Sequence, residues 1–384
     1  MDFDLTPEQS LLKDSVGRLM ADHYGFEKRT SFIASPDGFS REMWRRYAEL
    51  GILGLPFAEA DGGFGGGAVE TMIVLEAMGR ALAIEPYLAS VVLAGGALRH
   101  GGSAKQRASL VPALARGDMI LAFAHAERDA RYDLAHVATR ARRDGAGWVI
   151  DGEKTLVLHG DAADRLVVSA RIGGDVGGAD GIALFLVEGD APGLSRRAYP
   201  TQDAMRAAEV TLASVRVPDD ALIGAPGAAF PIVRRVAEDA IAALAAEAVG
   251  AMAELTALTV EYLKTRRQFG VPIGSFQVLQ HRASEMLIAE EQARSMAMFA
   301  TMMAESEDDA ARARAMAAAK VQIGRSGRFV SQQAIQLHGG IGMTMEYKAG
   351  HYMKRLQMID LMLGDADHHV RALARAGGLF GDAA

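Results

Sequence analysis

The hydrophobic pattern of the chain changes its period twice. From residue 5 to about 118, apolar side chains recur at spacings of three and four, as at Leu11, Leu12, Val16, Leu19 and Met20, which predicts helices. Thr6-Pro7-Glu8-Gln9 supplies a start signal, with an N-cap, a proline at the first helical position and an acid behind it. The run "EADGGFGGG" at residues 59–67 breaks the pattern. It lacks a GK[ST] ending and no clear strand precedes it, so it reads as a connecting loop. Residues 119–228 switch to alternation, in "GWVIDGEKTLVL", "RLVVSAR", "GIALFLVEG" and "AEVTLASVRVP", with Gly and Asp turns between them. No helical stretch interrupts these strands, which favours an antiparallel barrel or sandwich over a doubly wound sheet. From residue 229 to 384 the chain is helical again, and 231–267, 276–304 and 308–335 are long enough for bundle helices.

The expectation is an α+β chain of three zones: an α-helical N-terminal domain (1–118), a β domain (119–228) and a C-terminal helical bundle (229–384). Composition narrows its role. A net charge of -7 argues against nucleic acid as the main partner. The absence of cysteine excludes disulfides, thiolate catalysis and cysteine-based zinc sites, and it fits a cytoplasmic location. The opening "MDFDLTPEQS" is acidic and polar, unlike a signal peptide, and no unbroken apolar run of membrane-spanning length is present, so no membrane role is expected. The segment "LMLGDADHHVR" (361–371) concentrates acids and histidines behind a glycine. Adjacent histidines diverge on a helix and carry no zinc spacing, so no metal is expected there. Asp365 or Asp367 as the cap of a last helix is the plainer reading.

Two longer motifs point further. "YLKTRRQFGVPIGSFQ" (262–277) and "QLHGGIGMTMEY" (336–347) resemble the R-x-x-F-G-x-P-I-x-x-F-Q and Q-x-x-G-G-x-G segments of the acyl-CoA dehydrogenase family. The resemblance extends through "LGILGLPFAEADGGFGG", "GSAKQRASLVPALARGD" and "VRVPDDALIG", and so spans the chain. It implies an α-domain, a β-barrel and a four-helix C-terminal bundle, usually in a tetramer. It also implies FAD at a subunit interface, an acyl-CoA substrate, a glutamate base and an electron-transferring flavoprotein as acceptor. In that family the two motifs grip the ADP half of a flavin whose ring is held by the neighbouring chain. Arg266, Gln268, Phe269, Gln336, Gly339 and Gly340 are the positions that match. Arg266 is a planar cation suited to pyrophosphate, and Gly339, Gly340 and Gly342 leave room for backbone N–H groups to approach an anion. Taken without the resemblance, Arg266 is an ordinary surface charge.

The other half of the pattern is altered. The family's T-E-P-G-A-G-S-D becomes "AERDARYD", Ala126 to Asp133, so Ala126 replaces the threonine at the flavin edge. Asp129 and Arg131 replace two glycines of the turn that admits CoA, and Tyr132 replaces its serine. K-x-W-I-T-N-G becomes "KTLVLHG", with Leu156 for the tryptophan and Leu158 for the threonine. A buried flavin edge would lose donors there, at about 1–3 kcal/mol per unsatisfied group. The usual glutamate, read without gaps from Glu346-Tyr347, falls on Leu363 before Gly364. The alternative position on an earlier helix, placed by a glycine matched by Gly250, falls on Ala240. Asp365 and Asp239 are the nearest acids. Each is offset from the expected place, Asp239 by about 100° of helix rotation.

Three organisations stay open at this point. The chain resembles the small, flavin-site-degenerate subunits of heteromeric α2β2 acyl-CoA dehydrogenases, such as that of pimeloyl-CoA dehydrogenase. It could also be a self-sufficient homo-oligomer using Asp365 or Asp239 as base, or a non-redox scaffold that holds a thioester without flavin. By resemblance alone, the acyl group could belong to fatty acid or steroid catabolism.

Overall fold

The computed structural model describes residues 4–377. Helix α1 (Pro7–His23) starts where expected. Thr6 Oγ1 accepts from the Gln9 N–H at 3.2 Å, and the Gln9 side chain accepts from the Thr6 N–H at 3.0 Å, a complete capping box. Helices α2 (Phe26–Ile33), α3 (Arg41–Glu49), α4 (Ala68–Ala81), α5 (Gly95–Gly101) and α6 (Ala104–Ala115) follow. The strands are β1 (Leu121–Ala124), β2 (Arg140–Asp144), β3 (Gly147–Leu158), β4 (Arg165–Arg171), β5 (Ile182–Glu188), β6 (Leu194–Pro200), β7 (Arg206–Pro218) and β8 (Leu222–Ile223). Then come α7 (Phe230–Thr265), the short pair β9 (Arg267–Gln268) and β10 (Val271–Pro272), and helices α8 (Gln277–Ala304), α9 (Asp309–His338), α10 (Lys348–Leu361) and α11 (Ala366–Arg375).

These elements group into two compact units. The sheet unit comprises residues 31–67 and 84–240. Its strands run in the order β6-β7-β3-β2-β4-β5-β8, with β1 added beside β4. The expected alternation holds, but the sheet is not purely antiparallel. β1 pairs with β4 in parallel, and β2 touches β4 in parallel at Arg140. The β2–β3 hairpin intervenes between β1 and β4, which lets them run the same way, and alternation along a strand carries no signal of partner direction. The glycine-rich run at 59–67 is a turn of 3-10 helix followed by loop, as expected.

The helical unit comprises residues up to 30, 68–83 and from 241 onward. The N-terminal helices are thus divided between the two units. Helix α7 is long and apolar, with a window of mean hydropathy 1.6, of which 83% is buried in the protein. No membrane span was expected from the sequence. This helix has the length and composition for one, yet its burial makes it a core helix. Within the unit, α4 and α7 touch backbone to backbone. A Cβ on Gly79 would overlap the Glu247 carbonyl oxygen, and one on Gly250 would overlap that of Glu76. A buried ion pair locks α7 to α10, with Arg355 Nη2 2.7 Å from Glu247 Oε2. Met286 is fully buried, while Met296 and Met303 flank a cluster of Ile241, Ala300 and Met316.

Because Gly250 lies against backbone, Gly250→Ala forces the helices apart and should destabilise by about 1–3 kcal/mol. Gly17, with nothing near its missing Cβ, should accept alanine and gain about 0.5–1 kcal/mol from helix propensity. Urea unfolding of the two variants checks both signs, and equal effects would refute the helix crossing.

Candidate functional site

The segments matching the ADP grip lie together in the helical unit. The end of α7 meets the end of α9, where the Tyr262 and His338 rings stand 4.6 Å apart. Four residues past Tyr262, Arg266 is exposed, and none of the described residues is bonded to its guanidinium. Gln268 is exposed, with its Nε2 donating to the Arg267 carbonyl at 2.7 Å. Phe269 and Gly270 form the tight turn between β9 and β10, with φ of +52° and +82°. A bulky residue in the left-handed region is strained by about 1–2 kcal/mol, and Phe269 is 92% exposed as well. Its ring meets that of Phe276 edge-on, with centroids 6.2 Å apart. Gln336 faces outward from α9. Beyond it, Gly339 has φ of +64°, and neither Gly339 nor Gly340 has any atom within 4 Å of where a Cβ would stand. Packing within the chain therefore does not require glycine at 340. An open glycine turn and an exposed guanidinium are each suited to a pyrophosphate.

The altered half lies in the sheet unit, on a framework held by a buried ion pair. Lys154 of β3 is buried and reaches Glu127 Oε1 at 2.7 Å and Ser169 Oγ at 2.9 Å. Glu127 also accepts from the Ala138 and Thr139 N–H groups at 2.6 and 3.0 Å. Burial alone would raise its pKa, but the Lys154 ammonium and these hydrogen bonds outweigh it and bring it down to about 2. His125, beside them, is bonded to Ser169 Oγ at 2.9 Å and is driven to about 3 by burial, so it is neutral. Ala126 and Leu156 lie exposed on this framework, and the Thr155 N–H donates to the Ala126 carbonyl at 2.9 Å. Arg131 and Leu156 sit at φ of +51° and +50°. The turn thus keeps a left-handed residue where the family pattern has glycine. Ala126, Leu156 and Leu158 offer no side-chain donor to a flavin ring, so this half does not fit one.

Neither candidate acid is set up as a base. Asp239 is almost buried on α7, in ion pairs with Arg99, His100 and Arg235, the His100 Nε2 at 2.7 Å and the Arg235 Nε at 3.4 Å. Burial works to raise its pKa, but the His100 hydrogen bond and the charges of Arg99, His100 and Arg235 hold it below the usual carboxylate range. Asp365 is the N-cap of α11, its Oδ1 accepting from the His368 N–H at 2.7 Å. At the base position, Leu363 is aliphatic and packs against the Ile241–Met316 cluster. Among the described residues no group of three His, Asp or Glu could hold a metal ion. The supporting residues His338, His351, Tyr347 and Lys320 went unnoticed in the sequence. His338 and Tyr347 stand inside a quoted motif, yet nothing local to it signals what they hold.

Glu127→Gln should cost about 3–5 kcal/mol, since it leaves the Lys154 charge buried and unpaired. Because the Glu127 pKa is lowered by folding, its contribution is present above the ordinary value of 4.5 and lost as pH falls toward 2. Urea unfolding across that window should show a slope in the native chain that the variant lacks.

Comparison with known proteins gives three family matches in order along the chain. The N-terminal, middle and C-terminal domain models of acyl-CoA dehydrogenases match residues 6–118, 122–215 and 231–378. The acyl-CoA dehydrogenase FadE12 of Mycobacterium tuberculosis is 32% identical over 343 residues, 88% of each chain. Among solved structures, the ChsE4–ChsE5 complex from Mycobacterium tuberculosis is 28% identical, covers 98% of both chains and has a TM-score of 0.86. PigA with FAD and proline is 28% identical, covers 99% of this chain and 100% of that one, and has a TM-score of 0.91.

Proposed function

The chain belongs to the acyl-CoA dehydrogenase family of FAD-dependent oxidoreductases, and we propose that within it the chain serves as the subunit without the base in a heteromeric enzyme. In this reading it lends Arg266, Gln268, Phe269, Gln336, Gly339 and Gly340 to the ADP half of an FAD whose ring is held by an unlike, base-bearing subunit. The complex dehydrogenates an acyl-CoA thioester and passes electrons to an electron-transferring flavoprotein. When bound, the flavin supplies the hydride acceptor. This chain's own work is to fix the cofactor's anionic end.

The observation that carries the reading is an asymmetry within one chain. The outward-facing ADP grip is free and open, while Leu363 stands packed in apolar surroundings where a base would be. An apolar surface accompanies the grip. Phe269, Phe276, Val278, Leu287, Ile288 and Met343 are exposed on the helical unit. Exposed apolar patches of this kind suit burial against another subunit. The ChsE4–ChsE5 complex, of two differently named chains, offers a precedent for a partner.

Purified alone, the chain should carry little FAD; co-expressed with its base-bearing partner, it should yield a yellow complex. A homo-oligomer that binds one FAD per chain would sink the proposal. In the complex, Arg266→Ala should weaken FAD binding about ten- to a hundredfold, as loss of charge-assisted bonds of about 1.5–3 kcal/mol implies. Asp365→Asn and Asp239→Asn should each lower turnover by less than about tenfold, because neither acid is placed to take a proton. Removing the partner's glutamate should abolish turnover. Steady-state dehydrogenation with an artificial acceptor, at matched FAD content, distinguishes these outcomes. A loss of about a thousandfold at Asp365 alone would make it a base.

A further inference from the structure

The open turn that carries Gly339 and Gly340 makes little packing of its own. Both glycines face empty space, and Met343 is 73% exposed. A binding turn must be held to within about 0.5 Å to be effective, so something beneath it has to set its position. Two histidines do so, in opposite tautomers. His338 Nδ1 lies 2.8 Å from the Ala334 carbonyl oxygen, and its Nε2 lies 3.2 Å from the Tyr347 hydroxyl. A carbonyl only accepts, so Nδ1 bears the proton and Nε2 accepts from Tyr347. The Tyr262 ring covers His338, and a Cβ on Gly342 would stand 3.0 Å from the His338 Cβ, so the turn rests on the histidine's stem.

His351 anchors the following stretch. Its Nε2 lies 3.0 Å from the Met345 carbonyl oxygen and must donate, which leaves Nδ1 to accept from the Arg29 guanidinium at 3.4 Å. Arg29 is buried and donates through Nε to the Leu82 carbonyl at 2.8 Å. Burial lowers the pKa of both histidines, which favours the neutral forms assigned here.

We propose that the His338–Tyr347 hydrogen bond positions the glycine turn for FAD, closing the 339–347 segment on itself, with the Arg29–His351 pair as its second anchor. This rests on the reading that the turn meets the ADP half of a partner's flavin. His338 and Tyr347 are positioning residues, since both lie beneath the turn rather than on its open face.

The test uses the assembled complex, stripped of flavin and titrated with FAD by fluorescence quenching. Tyr347→Phe removes only the hydroxyl. His338→Asn keeps an N–H toward the Ala334 carbonyl and lacks Nε2. Each should weaken FAD binding about three- to tenfold, and the double variant no more than either alone, because one bond is lost in all three. KM for acyl-CoA at saturating FAD should not change. Asp365→Ala, which removes a helix cap elsewhere in the same unit, should lower stability without changing FAD affinity, which separates positioning from general destabilisation. If Tyr347→Phe leaves FAD affinity within about twofold of native while Arg266→Ala still weakens it, the positioning role is refuted and the subunit reading stands. Additive losses in the double variant would also refute it. If Arg266→Ala has no effect either, the subunit reading itself falls. Should His338→Asn fail to fold, the near-isosteric Tyr347→Phe still decides.

Discussion

The buried pairing of Lys154 with Glu127 is the constraint on which the geometry of the sheet unit hangs. Lys154 stands in the middle of β3, and Glu127 opens the turn after β1. By also accepting from Ala138 and Thr139, Glu127 ties both ends of the intervening loop to one strand. A buried charge is tolerated only when paired and hydrogen-bonded, so neither residue can change alone. Around that fixed centre the outward positions are free to vary. Ala126, Leu156 and Leu158 depart from the family pattern at such positions. Arg131 even occupies a left-handed conformation that glycine would take at lower cost.

The helical unit shows the same separation between what holds the chain together and what faces away from it. Glu247 with Arg355, and the contact of Gly79 and Gly250 with opposing backbone, serve the fold alone. Gly339 closes α9 as its C-cap and Phe269 meets Phe276 edge-on, whereas Arg266 is exposed and Gly340 packs on nothing among the described residues. Phe269 is left-handed and exposed, and Gly340 gives up conformational stability without relieving any internal clash. Features that cost a fold stability without an internal return are expected where another molecule binds. In the helical unit these features lie at its exposed turn, while in the sheet unit Ala126, Leu156 and Leu158 present no side-chain donor.

Much of this was legible in the sequence because it is local. The Thr6–Gln9 box, the Asp365 cap of α11 and the switch from helical to alternating period each lie within a few residues of chain. The ADP motifs were legible as motifs. What escaped notice depends on contacts between distant segments. The parallel pairings of β1 and β2 with β4 leave no trace in alternation. Asp239 looked like a spare acid because Arg99 and His100, which engage it, lie far upstream. His338 was quoted within a motif, yet its role rests on which ring nitrogen carries the proton, and that is set by Ala334 and Tyr347. The Arg29–His351 contact joins the second helix to the tenth and has no local signature at all.

Leu363 stands in a loop whose conformation does not depend on its own side chain. Its φ of +57° costs a branched aliphatic residue about 1–2 kcal/mol, and such a conformation persists only when its surroundings overdetermine it. Here they do. Buried Lys320 donates to the carbonyls of Ile359, Asp360 and Met362 at 2.6, 3.0 and 2.8 Å, capping the end of α10. Asp360 Oδ1 accepts from the Ala366 N–H at 3.1 Å. His369, lowered to about 4 by burial and therefore neutral, donates through Nε2 to the Leu363 carbonyl at 2.9 Å. Every one of these bonds grips backbone, and none depends on the side chain at 363. That side chain packs against an apolar cluster. A carboxylate in the same place would be desolvated and its pKa raised, as suits a base for a weakly acidic proton. The same surroundings accept leucine at no electrostatic cost. The geometry of the loop is therefore indifferent to whether a carboxylate or a leucine stands at 363.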